Sequence, residues 1–277
     1  MLSILYGLLS ALSWGGGDFI GGLASRSEKA VRVVTLAEIA GIVLLFVLKI
    51  FIPESVPPLQ VWLVSGLASL LGTAGIIMLW VSLATGQMSI AAPVSALMAA
   101  IIPIIVSSFT EGFPGWLAGV GILFALVSIW LISQDEKASH LERLSDLSLP
   151  LLSGVGFGLY FVLMHTATHE YTLWPLIAAR ATSIPLLVAY GLITRQPPLP
   201  RRPLWPLVSL GGILDIGGNA FYVLAGQAGR LDIAAVLGSL YPASTVLLAA
   251  IVLKERLNRT QTLGVLAALL AILLMSI

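Results

Sequence analysis

Apolar runs of about 18–22 residues recur from one end of the chain to the other, the length a helix needs to cross a bilayer. Charges, prolines or polar clusters bound each run. Reading the runs as helices predicts ten spans: roughly 3–24, 33–52, 60–84, 89–109, 115–133, 149–168, 172–194, 204–227, 232–253 and 260–277. A β-barrel would show short alternating segments instead. Connections are short. The longest polar one, 133–148, reads "SQDEKASHLERLSDLS" and falls in the middle of the chain.

Composition agrees with the pattern. The chain has 277 residues, 58% hydrophobic and 10% charged, with a mean hydropathy of +1.03. A soluble domain carries roughly a quarter charged residues, so there is too little polar surface here for a water-facing globule. The first run has no basic residue before it and is long and glycine-rich. We read it as a span and not as a cleavable signal. The absence of cysteine excludes disulfides and thiolate metal sites.

The two halves match at an offset of 143 residues. "LLSALSWG" (8–15) falls on "LLSGVGFG" (151–158), with Trp14 on Phe157. The same offset puts Gly75 on Gly218, Gly86 on Gly229, Ile90 and Ala91 on Ile233 and Ala234, Leu97 on Leu240, and Gly121 on Gly264. The expected organisation is a first five-helix repeat over 1–134, a polar linker over 135–148 and a second repeat over 149–277. Five is odd, so the second copy starts from the opposite side. The fold class expected is an all-α polytopic membrane protein of ten transmembrane helices in two inverted five-helix repeats. Secondary transporters use this design, with the ligand site at the repeat interface near the midplane.

Lys and Arg set the expected orientation. Connections after odd-numbered spans carry eleven: Arg26, Lys29, Arg32, Lys137, Arg143, Arg195, Arg201, Arg202, Lys254, Arg256 and Arg259. The other side carries two, Lys49 and Arg230. The basic side is taken as cytoplasmic, with both termini outside. Trp62, Trp116, Trp174 and Trp205 fall at span starts, as an interfacial belt requires.

Two stretches resemble the EamA family of the drug/metabolite transporter superfamily. One is "SALSWG", early in span one. The other is "AAVLGSLYPASTVLLAAIVLKERLNRTQTLGVLAALLAIL" (234–273), with a proline-broken helix at Tyr241-Pro242, a Glu255-Arg256 turn and a helix opening near Gly264. The first half keeps Pro93, Pro103, Glu111 and Gly121, but Gly112 stands where the arginine is expected. The resemblance implies export of small solutes, such as amino acids or related metabolites, by alternating access across the cytoplasmic membrane. It implies no nucleotide, and the chain has no Walker-type Gly-Lys-Ser/Thr motif.

Charges inside a bilayer are costly, so each is a functional candidate. Four qualify: Asp18, Glu38, Arg180 and Asp215. Asp18 and Glu38 share a level on the cytoplasmic side of the midplane. Two interior carboxylates cannot both stay ionised cheaply, which suits a proton-coupled exporter. The bland alternative is pairing with Arg26, Lys29 or Arg32 at the mouth. Arg180 is within reach of Asp215 or Asn219 on the next helix. It is read as a lock between faces, as an anchor for a solute carboxylate, or as half of a static pair. Three acids against one arginine favour a cationic or zwitterionic solute, or a proton, over an anion.

Trp14, Trp80, Tyr160, Tyr222 and Tyr241 lie at intermediate depth, where their N–H and O–H groups need partners. Ser95 and Met98, near the centre of span four, complete the candidate pocket; packing is the competing role for each. Prolines 93, 103, 185 and 242 permit kinks. "HTATHE" (165–170) puts His165 and His169 on one helical face. Without a third ligand we expect solvated histidines there, and no metal site. No catalytic motif and no nucleic-acid-binding stripe appear, so neither an enzyme nor a cofactor is expected. The expected partners are a small-molecule substrate and the lipid bilayer, with the chain a monomer or weak homodimer. Uptake of a sugar or nucleoside by a related ten-span permease is the alternative. A lipid-acting membrane protein ranks below it, since the ionisable residues sit mid-membrane.

Overall fold

The computed structural model describes residues 1–84, 88–132, 148–252 and 258–276. Every extended element among them is helical. In chain order they are α1 (Leu2–Ser25), α2 (Ala30–Phe51), α3 (Leu59–Ala84), α4 (Met88–Thr110), α5 (Trp116–Ile132), α6 (Ser148–Ala167), α7 (Leu173–Ile193), α8 (Trp205–Gln227), α9 (Leu231–Gly238), α10 (Tyr241–Val252) and α11 (Arg259–Ser276). A 3-10 turn, Arg202–Leu204, leads into α8. Gly86, Lys137, Arg143, the 135–147 stretch of the linker, Lys254, Glu255 and Arg256 lie outside the described residues, as do the side chains of Ile90, Ala91 and Pro93.

Among the described residues, five helices are long and apolar enough to cross a membrane: Ala30–Phe51, Leu59–Ser82, Ser148–Ala167, Leu173–Ile193 and Arg202–Gln227. Val94–Thr110, Trp116–Ile132 and Arg259–Met275 are apolar but shorter. α1 has the length, 24 residues, but its glycines, serines and Asp18 dilute its hydropathy. A helix holds such a sequence in lipid because it satisfies every backbone group internally. The expected span nine is two helices. The chain leaves the helix at Ser239 and Leu240 and re-enters at Tyr241. Pro242 is then the second residue of α10, where its missing N–H costs little. Pro185 and Pro103, by contrast, sit inside continuous helices.

Packing follows the sequence repeat. α1 lies against α8 as α6 lies against α3, and α2 meets α8 as α7 meets α3. α4 packs on α6 as α9 and α10 together pack on α1, while α5 pairs with α11 and α2 with α7. The equivalence reaches single atoms. Ser10 Oγ donates to the Gly218 carbonyl at 2.8 Å, and its counterpart Ser153 Oγ donates to the Gly75 carbonyl at 2.8 Å. A Cβ on Gly218 would sit 2.5 Å from Trp14, and one on Gly75 would sit 3.1 Å from Phe157. These small residues let helix backbones approach closely, the main means of association where lipid is as apolar as the protein. Ser10→Ala and Ser153→Ala are each expected to cost about 0.5–1 kcal/mol, read as matched falls in Tm in detergent. An unchanged Tm in both would show that the bonds contribute nothing.

Contacts between the halves tie together both ends of the bundle. At one end Glu28 accepts from Arg201 at 2.8 Å and from Arg32 at 3.1 Å, and Lys29 donates to Gln196 at 2.7 Å. Burial alone would push the Glu28 carboxyl up, but the hydrogen bonds from Arg201 and Arg32 outweigh it and hold it below the ordinary carboxylate range. This clasp is therefore intact at neutral pH and is lost only as pH falls through that depressed value.

At the other end Glu54 accepts from the backbone N–H groups of Thr172 (2.6 Å), Leu173 (3.2 Å) and Trp174 (2.9 Å), capping α7 from the opposite half. Nearby, Arg230 binds Asp232 at 2.9 Å and donates to the Gly112 carbonyl at 2.5 Å. Gly112 has a φ of 77°, which only glycine adopts freely. His165 Nε2 lies 3.6 Å from Glu111 Oε1, so this histidine is an inter-helix partner and not the freely solvated group expected from sequence.

Candidate functional site

A cavity with about 700 Å³ of empty space, counting its opening, lies between the halves. Nine of the twelve residues singled out from sequence line it: Trp14 and Asp18 from α1, Glu38 from α2, Trp80 from α3, Tyr160 from α6, Arg180 from α7, Asp215 and Asn219 from α8, and Tyr241 from α10. Phe157 and Phe161 of α6 and Ser69, Gly72, Thr73 and Ile76 of α3 fill in the wall.

Glycine brings the charged helices together. A Cβ on Gly17 would sit 3.3 Å from the Gly211 carbonyl and 3.4 Å from the Asp215 nitrogen, so α1 and α8 meet backbone to backbone beside Asp18. α2 and α8 meet at Ala37 and Gly212, one residue before Glu38 and three before Asp215. On the far wall Ser69 Oγ donates to the Ala179 carbonyl at 2.6 Å, fixing α7 where Arg180 leaves it.

Arg180 is the centre of a polar network. Its Nη2 donates to Asp215, and its Nη1 lies 3.4 Å from Glu38 Oε1. Glu38, 3% exposed, also accepts from Thr73 Oγ1 at 2.9 Å and from Ser183. Asp215 accepts from Asn219 Nδ2 at 3.3 Å, and Asn219 in turn accepts from Tyr160. The mouth cations are used elsewhere, Arg32 on Glu28 and Lys29 on Gln196. Glu38 is held instead in an interior ion pair with Arg180, a partner not expected for it from sequence.

Asp18 stands apart from that network. Its Oδ1 accepts from Trp80 Nε1 at 3.0 Å. No cation among the described residues lies within ion-pair distance of it.

The other three candidates lie off the cavity wall. Ser95 is fully buried and shares a 3.0 Å hydrogen bond with Ser153. Met98 packs where a Cβ on Gly154 would come within 2.5 Å of it. Tyr222 donates to the Phe161 carbonyl at 2.9 Å and stacks on that ring, with centroids 4.6 Å apart. Thr73 and Ser183, which hold Glu38, escaped the sequence reading. Their one signal is a hydroxyl in an apolar run, and many membrane helices carry one.

The charged pattern belongs to one copy of each repeat position. At the 143-residue offset Asp18 faces Phe161, Glu38 faces Ala181, Arg180 faces Ala37 and Asp215 faces Gly72. The scaffold is duplicated and the charges are not.

A bundle of apolar helices enclosing a charged, aromatic-lined cavity between two matching halves has the architecture of a membrane transporter. The family can be stated. The model of the EamA-like transporter family matches residues 1–134 and again 145–277. The chain belongs to that family, within the drug/metabolite transporter superfamily, and is a multi-pass membrane protein. No match was found among curated proteins. Among solved structures 29 chains match. One, described as "Crystal structure of protein", is similar with a TM-score of 0.79 at 15% identity, over 98% of this chain and 95% of its own.

Proposed function

We propose that this protein is a secondary transporter that exports small solutes, amino acids or related metabolites, by alternating access and in exchange for protons. The observation that carries the reading is the cavity: three carboxylates and one arginine, drawn from both halves, converge on it. Its walls come from helices that swap places under the repeat, so rocking one half against the other re-exposes the same residues to the opposite side. The clasps at the two ends, Glu28–Arg201 and Glu54 on α7, are the contacts such rocking breaks in turn. Asp18, whose hydrogen-bond partner among the described residues is a single indole N–H, is the carboxylate freest to exchange a proton.

On this reading the helices make ten spans in two inverted repeats in the cytoplasmic membrane, with the Arg-rich ends inside, both termini outside and the monomer as the working unit. Outward direction rests on the family resemblance.

The test is flux in liposomes holding purified full-length protein. An imposed pH gradient is expected to change amino-acid flux several-fold, and Asp18→Asn is expected to abolish that dependence. Flux indifferent to the gradient, and unchanged in Asp18→Asn, removes the proton coupling. A C-terminal reporter active in the cytoplasm overturns the orientation.

A further inference from the structure

We infer that the cavity selects its solute by a cationic amine seated at Asp18 among Trp14, Trp80 and Tyr241, and that Arg180 is not an anchor for a solute carboxylate. The inference deepens the transporter reading and rests on it.

It follows from which charges are already matched. Arg180 is the one basic residue among the described residues that line the cavity, and it meets two carboxylates, Asp215 through Nη2 and Glu38 through Nη1 at 3.4 Å. Its Nε has no protein partner but is buried, with no surface for a ligand to approach. Bidentate capture of a carboxylate needs two parallel N–H groups, and here each terminal nitrogen already faces a protein acid, Nη2 by a hydrogen bond to Asp215 and Nη1 by an ion pair with Glu38. An incoming anion would also meet Asp18 and the negative surplus of the Glu38–Arg180–Asp215 cluster.

Asp18 is the reverse case. It is a carboxylate on the wall of the same cavity with, among the described residues, one neutral donor, Trp80 Nε1 at 3.0 Å. A carboxylate in a low-dielectric cavity favours a counter-charge. Its surroundings suit an organic cation. Trp14 is one turn earlier on the same face of α1, Trp80 is bonded to the carboxylate, and Tyr241 lines the wall from α10. Indole and phenol rings attract ammonium groups through their π faces, by an amount that grows as water is excluded. Phe157, Phe161 and Ile76 extend the wall with apolar surface for the rest of the molecule. The second half has nothing equivalent: Phe161 stands at the position matching Asp18, and Val223 at that matching Trp80.

Four probes of one skeleton test this on the purified full-length protein by calorimetric titration at pH 7: phenethylamine, phenylalanine, 3-phenylpropionate and 2-phenylethanol. Phenethylamine is expected to bind at least about tenfold tighter than 3-phenylpropionate or 2-phenylethanol, with phenylalanine between them. Asp18→Asn is expected to weaken phenethylamine by about tenfold or more, while thermal unfolding shows the variant folded. Trp80→Phe keeps the ring but loses the N–H, and is expected to weaken it less. Tightest binding of 3-phenylpropionate, equal binding of all four, binding of none, or an Asp18→Asn affinity equal to wild type overturns the inference. Liposome flux separates the two levels. Solute movement without amine preference defeats the selectivity alone. Amine binding at Asp18 with no flux of any probe defeats the transporter reading and leaves the site standing.

Discussion

Arg180→Met is expected to lower stability by about 3–5 kcal/mol and to abolish transport. The substitution keeps most of the side chain's volume but removes the cation that faces both Glu38 and Asp215. Those side chains are 4% and 17% exposed. Each keeps some hydrogen bonds, from Thr73 and Ser183 on one and Asn219 on the other. Hydroxyl and amide donors do not neutralise charge, so two acids are left facing each other across an uncharged centre. The cost arises from uncompensated charge and not from lost packing, and the triple variant Glu38→Gln, Arg180→Met, Asp215→Asn distinguishes the two. It is expected to recover most of the lost stability and none of the transport. Thermal unfolding in detergent measures the first effect and liposome flux the second. A single variant as stable as wild type would show that the cluster is not a structural centre.

The second large effect is steric. A Cβ on Gly212 would lie 2.1 Å from the Ala37 carbonyl oxygen and 2.6 Å from its Cα. Both are backbone atoms, so no rotamer change relieves the clash and α2 must move off α8. Gly212→Ala is expected to cost about 3 kcal/mol. Displacing Ala37 moves Glu38 with it, so flux should fall further than stability alone explains. Gly217→Ala is the control, since its nearest contact would be Ser13 Oγ at 3.8 Å. Alanine is the better helix former by about 1 kcal/mol in water, so that variant should unfold no earlier than wild type. Equal Tm values for the two variants would refute the steric account.

Helix positions were legible because crossing a bilayer dictates length and composition. Bounds read from sequence fall within three residues of those observed, apart from the broken span nine. That break was not readable from proline alone. Pro103 sits in a continuous α4, whereas Pro242 follows a two-residue interruption that also involves Ser239 and Leu240. The charged centre of the site was legible for a related reason. Asp18, Glu38, Arg180 and Asp215 are expensive in hydrocarbon, so each signals its own role.

Hydroxyls carry no such signal. Thr35 and Ser108 donate to the carbonyls four residues back on their own helices, at 2.7 Å each, and look in sequence no different from Thr73 and Ser183. Rotation was the other missing quantity. Helices apolar all round have no polar stripe to fix which face turns inward. Depth alone could not separate Asn219, on the cavity, from Tyr222, one turn on and bonded to Phe161.

The exchange of partners between halves has a consequence for biogenesis. Chains are made from the N-terminus, so α1 to α5 leave the ribosome before any of their main partners exist. Asp18 and Glu38 then enter the bilayer ahead of Arg180, and the glycines of α1 have no α8 or α10 to lie against. A nascent first half is therefore an open template carrying unneutralised acids. Its assembly waits on α7 and α8, which deliver the arginine and the glycine face almost together.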